Sequence, residues 1–126
     1  MPSSFPDGAE KPLYEIKANL FKALAHPARI RVLEILAASG GQPTAVREIL
    51  EQTGIEATLL SQHLAVLKRH DVVRAERSGN AVHYELAHPK VAELLAIARI
   101  FLTDTLSASR EQLAVLEALP PIGSQG

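Results

Sequence analysis

Residues 54–69, Gly-Ile-Glu-Ala-Thr-Leu-Leu-Ser-Gln-His-Leu-Ala-Val-Leu-Lys-Arg, constrain this chain most strongly, because they spell one helix with two faces of different composition. Leu60, Leu64 and Leu67 recur at four and three residues, the spacing that stacks side chains on one side of an α-helix and turns that side toward a core. Thr58, Ser61, Gln62, Ala65 and Arg69 form the opposite stripe. A merely solvated face would be richer in Glu and Lys. Short hydroxyl and amide groups followed by Lys68 and Arg69 suit a helix that enters a DNA groove, where small donors and acceptors meet base edges and cations meet phosphates.

The rest of the composition bounds what surrounds that helix. With 126 residues, 47% of them apolar, the chain suits one small domain burying roughly two-thirds of its unfolded surface. The absence of cysteine excludes disulfide scaffolds, thiolate metal sites and thiol redox sensing. No uncharged apolar run approaches the roughly 18 residues that span a bilayer, and the start of the chain is polar, so a cytoplasmic protein with no membrane partner is expected. The net charge of −1 argues against a general nucleic-acid coat protein, whose affinity comes from displaced counterions. Local charge tells a different story. Between Ala57 and His83, Lys68, Arg69, Arg74 and Arg77 face Asp71 and Glu76, a net of +2 with three histidines beside it.

Along the chain, residues 1–12 and 120–126 read as flexible Pro/Gly/Ser-containing tails around a domain at 13–119. Leu13, Ile16, Leu20, Phe21 and Leu24 predict a first amphipathic helix over 13–25. Pro27 starts a second one through Ile30, Leu33 and Leu36, which ends at Gly40-Gly41. Thr44 is placed to cap a short third helix carrying Val46, Ile49 and Leu50 and closed by Gly54. A turn over Gly54 to Ala57 leads into the two-faced helix, which completes a helix-turn-helix and ends near His70-Asp71. Residues 72–77 and 81–86 alternate like strands around Ser78-Gly79-Asn80, a hairpin signal with Gly and Asn where positive φ is needed. Pro89 opens a last helix carrying Val91, Leu94, Leu95, Ala98, Phe101, Leu102, Leu106, Leu113 and Leu116, with a possible break at 107–109. The expected architecture is mainly α (α+β): a winged helix-turn-helix of about five helices with a two-stranded β-hairpin wing. The last helix has more apolar positions than a small domain covers, so Leu94, Ala98, Phe101 and Leu102, with Leu13, Ile16 and Leu20, are expected to form a homodimer seam.

Three ordered segments make the reading specific. Phe21-Lys22-Ala23-Leu24-Ala25-His26-Pro27-Ala28-Arg29, Ser61-Gln62-His63-Leu64-Ala65-Val66-Leu67 and Gly79 to Leu86, ending Tyr84-Glu85-Leu86, resemble the opening pattern, recognition helix and wing of the ArsR/SmtB family of winged-helix repressors. The resemblance spans roughly residues 20–88 and implies double-stranded DNA as partner. It implies that Thr58, Leu59, Ser61 and Gln62 face the major groove, that Thr44 and Arg47 approach phosphates, and that Arg77, Asn80 and His83 reach the flanking backbone or minor groove. Lys68 and Arg69 add phosphate contacts, and Arg29 could reach the backbone too. His63, at the family's recurring histidine, either contacts a base or positions the helix through a local hydrogen bond. Glu56 departs from the family, which usually has Ser or another good cap there.

The family's metal-sensor patterns map poorly onto the sequence. The cysteine pair corresponds to Ala45 and Arg47, and the last-helix ligands to His88, Lys90, Phe101 and Asp104, of which His88 and Asp104 alone could ligate nickel or zinc. His26 and His88, each in Ala-His-Pro, suit helix-start positions. His70 and His83 suit solvated surface. The leading expectation is therefore a homodimeric sequence-specific transcriptional regulator, a repressor without a cofactor. The alternatives are a winged-helix protein-interaction module and a metal sensor with a non-standard His/Asp site. No nucleophile–base pairing or Gly-rich phosphate loop suggests an enzyme.

Overall fold

A computed structural model describes residues 11–118; the two expected tails, apart from residues 11 and 12, lie outside them. The elements run α1 (Lys11–Leu24), α2 (Pro27–Ala38), β1 (Thr44–Ala45), α3 (Val46–Thr53), α4 (Ala57–Arg69), β2 (Val73–Ser78), β3 (Ala81–Leu86) and α5 (Pro89–Ala118). Among the described residues, contacts divide the chain into two compact units, one ending at Ala92 and the other beginning at Glu93.

In the first unit each boundary has a local chemical cause. Pro27 opens α2 at a position whose N–H would have no helical partner, and His26 caps it, its Nδ1 accepting from the Ala28 N–H at 3.0 Å. Gly54 closes α3 in the left-handed conformation at φ 69°, and its N–H donates to the Leu50 carbonyl at 2.9 Å. The end of α4 is a Schellman turn. The Val72 N–H reaches back to the Leu67 carbonyl at 2.9 Å and the Asp71 N–H to that of Lys68 at 3.0 Å. Asp71 takes the left-handed φ of 58° that this turn demands. Val72 and Leu67, the residues such a turn brings together, are both buried.

Thr44 departs from the sequence reading. It neither caps α3 nor faces outward: the residue before α3 is Ala45, without a side-chain cap bond, and Thr44 is buried at 4% exposure. The backbone explains the difference. Thr44 and Ala45 pair antiparallel with Tyr84 and His83, adding a third strand so that the sheet runs β1-β3-β2. The wing hairpin forms where expected, paired from Val73 opposite Leu86 to Ser78 opposite Ala81, so Ser78 belongs to β2 and the turn is Gly79-Asn80. Gly79 alone at its tip adopts positive φ, 64°, as when Gly holds the first central position of a type II′ turn, so Asn80 needs none.

The core of this unit is built from Val32, Leu33 and Leu36 of α2, Ile49 of α3, Leu60, Leu64 and Leu67 of α4, and Val72 and Val73 at the sheet. Of α1, Ala23 and Leu24 join it, whereas Leu13, Tyr14, Ile16 and Phe21 remain exposed. Helix α5 runs unbroken through 107–109 and buries none of its residues. Ile97, Ile100, Phe101, Leu102, Leu106, Leu113, Val115 and Leu116 are all exposed. No helix among the described residues is long and apolar enough to cross a membrane.

Candidate nucleic-acid interface

Helix α4 is held from its inner face, which leaves the outer stripe free of structural duty. Leu60, His63, Leu64 and Leu67 are buried, while Thr58, Leu59, Ser61, Gln62, Ala65, Lys68 and Arg69 are exposed. Leu59 is an apolar side chain 45% exposed within this polar stripe. Glu56 takes over the role for which the family commonly uses Ser. Its carboxylate accepts from the Leu59 N–H at 3.0 Å and caps the helix. Backbone N–H groups of Thr58 and then Leu59 hold its carboxyl below the usual carboxylate range, as an anion at a helix N-terminus should be held.

Beside this stripe, α3, α4 and the wing enclose a cleft of about 700 Å3 lined by Arg47, Leu50, Ser61, Asn80, His83 and Tyr84, among others. The fold thus gathers Arg47, Ser61, Asn80 and His83, four candidates drawn from three elements, around one concavity. Arg77 is exposed one residue before the tip segment, and among the described residues it has no ion-pair partner. Arg74, by contrast, is tied to Glu85 at 3.3 Å across the hairpin. Lys68 and Arg69 stand at the far end of α4, in its last turn.

His63 sits elsewhere. It is 5% exposed, so it belongs to the interior and not to the groove-facing set. Its Nδ1 lies 3.3 Å from Arg29 Nη1, and its ring centroid is 4.4 Å from that of His26. Arg29, expected to reach the DNA backbone, instead donates through Nε to the Ala23 carbonyl at 2.7 Å. The spacing that assembles the core stripe reveals the reason: His63 follows Leu60 by three residues and precedes Leu67 by four, so it shares their face.

For metal binding the available donors fit badly. His88 uses Nδ1 to accept from the Lys90 N–H at 3.0 Å, capping the start of α5. Asp104 is exposed within α5. Among the described residues no three His, Cys, Asp or Glu side chains cluster closely enough to hold an ion. The seam candidates Leu13, Ile16, Ala98, Phe101 and Leu102 are exposed, and Leu20 and Leu94 are half-buried.

A helix-turn-helix with one exposed polar stripe, continued by a hairpin wing, defines a winged helix-turn-helix protein. A helix-turn-helix domain model matches residues 24–76. The chain is 50% identical over 115 residues to the HTH-type transcriptional regulator Rv0081 of Mycobacterium tuberculosis, covering 90% of this chain and 96% of the relative. The crystal structure of Rv0081 superposes with a TM-score of 0.71 over 78% of this chain and 96% of that one. A probable mercury resistance operon repressor of Streptomyces lividans is 34% identical over 91 residues, 72% of this chain and 70% of the relative. The homodimeric winged helix-turn-helix DNA-binding domain of Mb0332 from Mycobacterium bovis, a possible ArsR-family regulator, gives a TM-score of 0.71 at 32% identity, covering 79% and 91% of the two chains. The chain belongs to the ArsR/SmtB family of winged helix-turn-helix transcriptional regulators.

Proposed function

We propose that this regulator is a homodimeric, sequence-specific DNA-binding repressor that acts without the family's cysteine or last-helix metal site. The observation that carries this reading is the exposed polar stripe of α4, whose Ser61 meets Arg47, Asn80 and His83 at one cleft. In it, Thr58, Leu59, Ser61 and Gln62 read base edges in the major groove, Arg47, Lys68 and Arg69 contact phosphates, and Arg77 and Asn80 take the wing to the flanking backbone. The cleft lining includes one imidazole and no carboxylate, which supports a binding role over acid–base catalysis.

Dimerisation would bring two such helices into half-sites one helical turn, about 34 Å, apart. The exposed apolar residues of α1 and α5 support it, as does the homodimeric Mb0332 domain. A bound dimer then represses by occluding a promoter, and a cytoplasmic location goes with that role. The protein-interaction alternative rested on Glu56 and on the near-zero net charge. The Glu56 carboxylate is accounted for as the α4 cap, which removes the first of these supports.

The test is fluorescence anisotropy with the full chain, using DNA from upstream of its own coding sequence and a scrambled duplex, across salt concentrations, with and without zinc or nickel. Preferential, salt-dependent binding indifferent to either ion is the expected result. Equal affinity for both duplexes would defeat the sequence-specific reading, and release by metal would defeat the metal-independent one.

A further inference from the structure

Three helices meet at a group of basic side chains, buried His63 with half-buried Arg29 and His26, that the DNA-facing surface does not use. Arg29, in the first turns of α2, donates through Nε to the Ala23 carbonyl at 2.7 Å and through Nη2 to the Lys22 carbonyl at 3.5 Å, both at the C-terminal end of α1. Its Nη1 lies 3.3 Å from His63 Nδ1 on α4. A guanidinium has no acceptor and keeps its proton in proteins, so His63 Nδ1 must accept. That fixes the imidazole as neutral with its proton on Nε2, an atom that is buried without a hydrogen-bond partner. The His26 ring packs against it at 4.4 Å, tilted by 49°, while His26 Nδ1 is engaged as the α2 cap.

We propose that Arg29 and His63 are positioning residues that set the pose of α4 for DNA, and that proton uptake at His63 releases the helix and makes DNA binding acid-sensitive. The inference rests on the DNA-binding reading above. A second proton on His63 would go to Nδ1 and turn an acceptor into a donor facing another donor. It would also set a new positive charge against Arg29. The groups acting on His63 are His26 and Arg29, and no carboxylate is among them; on α2, which packs on α4, Arg31 is exposed and Glu34 half-buried, and neither acts on His63. From α1, Lys22 joins through its carbonyl, and Glu15, Lys17 and the Lys22 side chain are exposed. From β2, which also packs on α4, Arg74, Glu76 and Arg77 are exposed. The imidazole is held below the ordinary histidine range by burial first, then by His26 and Arg29, which supports the neutral form. Gln62 precedes His63 by one residue on the outer face, so a displaced His63 moves the reading stripe with it.

The experiment follows affinity of the full chain for a duplex selected at neutral pH from a random library, as pH is lowered through the histidine range. Wild-type affinity is expected to hold at neutral pH and then fall toward a limit of about tenfold per pH unit for each His63 that must lose its proton. In His63→Gln the amide oxygen still accepts from Arg29 and nothing titrates, so neutral-pH affinity stays within about threefold and the acid loss disappears. His26→Gln retains the loss. A flat wild-type profile, or the same loss in His63→Gln, overturns the proposal. Should that variant fail to fold, or no duplex bind at any pH, nuclear magnetic resonance of the wild type decides. Amide shifts along α4 that track the His63 ring titration support release, and amides indifferent to it overturn release. The absence of binding at any pH would by itself count against the DNA-binding reading alone.

Discussion

Gln62 and Arg77 separate the two kinds of contact that a DNA reader makes. Gln62 sits exposed in the middle of the α4 stripe, where an amide can donate and accept at one base edge. Gln62→Ala is therefore expected to cost about 1 to 3 kcal/mol on the preferred site and much less on random sequence. Arg77→Ala should weaken both alike and lower the slope of log affinity against log salt by about one. Anisotropy titrations of both variants at several salt concentrations decide between these roles. At His63 the relevant measurement is stability. Its folded imidazole takes up a proton less readily than the unfolded one, so its contribution is complete above the ordinary histidine range. It declines as pH falls through that range toward the depressed folded value. Urea midpoints should show this decline in wild type and a shallower one in His63→Gln. The motif around His63 was legible in the sequence, but the reading set it among the DNA-facing residues although its spacing from Leu60 and Leu67 puts it on their buried face. Its partner was not, because Arg29 lies 34 residues away and local periodicity carries no information about such pairs.

Helix α4 shows why some elements were readable and others were not. Its inner stripe, its end at His70-Asp71 and the following hairpin come from short-range patterns that sequence displays directly. Strand β1 does not, since two residues have no periodicity, and Thr44 before a helix looks like a cap until Tyr84 pairs with it. The Glu56 cap was hidden for the opposite reason: the carboxylate does a job usually given to a hydroxyl. Two stability changes test the element. Leu67→Ala, at a fully buried position, should destabilise by about 2 to 5 kcal/mol, as loss of transfer energy and an unfilled cavity add. Asp71→Gly should instead stabilise by about 0.5 to 1 kcal/mol, because glycine adopts the left-handed φ without a Cβ clash. Chemical denaturation at neutral pH measures both. A destabilised Asp71→Gly would mean that the aspartate side chain contributes more than the strain costs.

For the whole molecule, the unresolved balance is between apolar surface and water. Phe101 is 67% exposed and Leu102 55% on α5, and Ile16 is 66% exposed on α1. Side chains of this size forgo up to roughly 1.5 to 3 kcal/mol each when left in water, so each of these two helices gives the isolated chain an incentive to associate. If α5 supplies that contact between copies, Phe101→Glu must place a charge in the seam, where an unpaired buried carboxylate is strongly unfavourable. The expected outcome is a shift from dimer to monomer by sedimentation velocity, with the helical circular dichroism signal of the first unit's elements largely kept. DNA affinity should fall with it, since each protomer then holds one half-site without its partner's contacts. Loss of the dimer with affinity unchanged would mean that one α4 and one wing suffice for binding. A variant that remains dimeric would move the seam away from Phe101, and Ile16→Glu would then show whether α1 carries it instead.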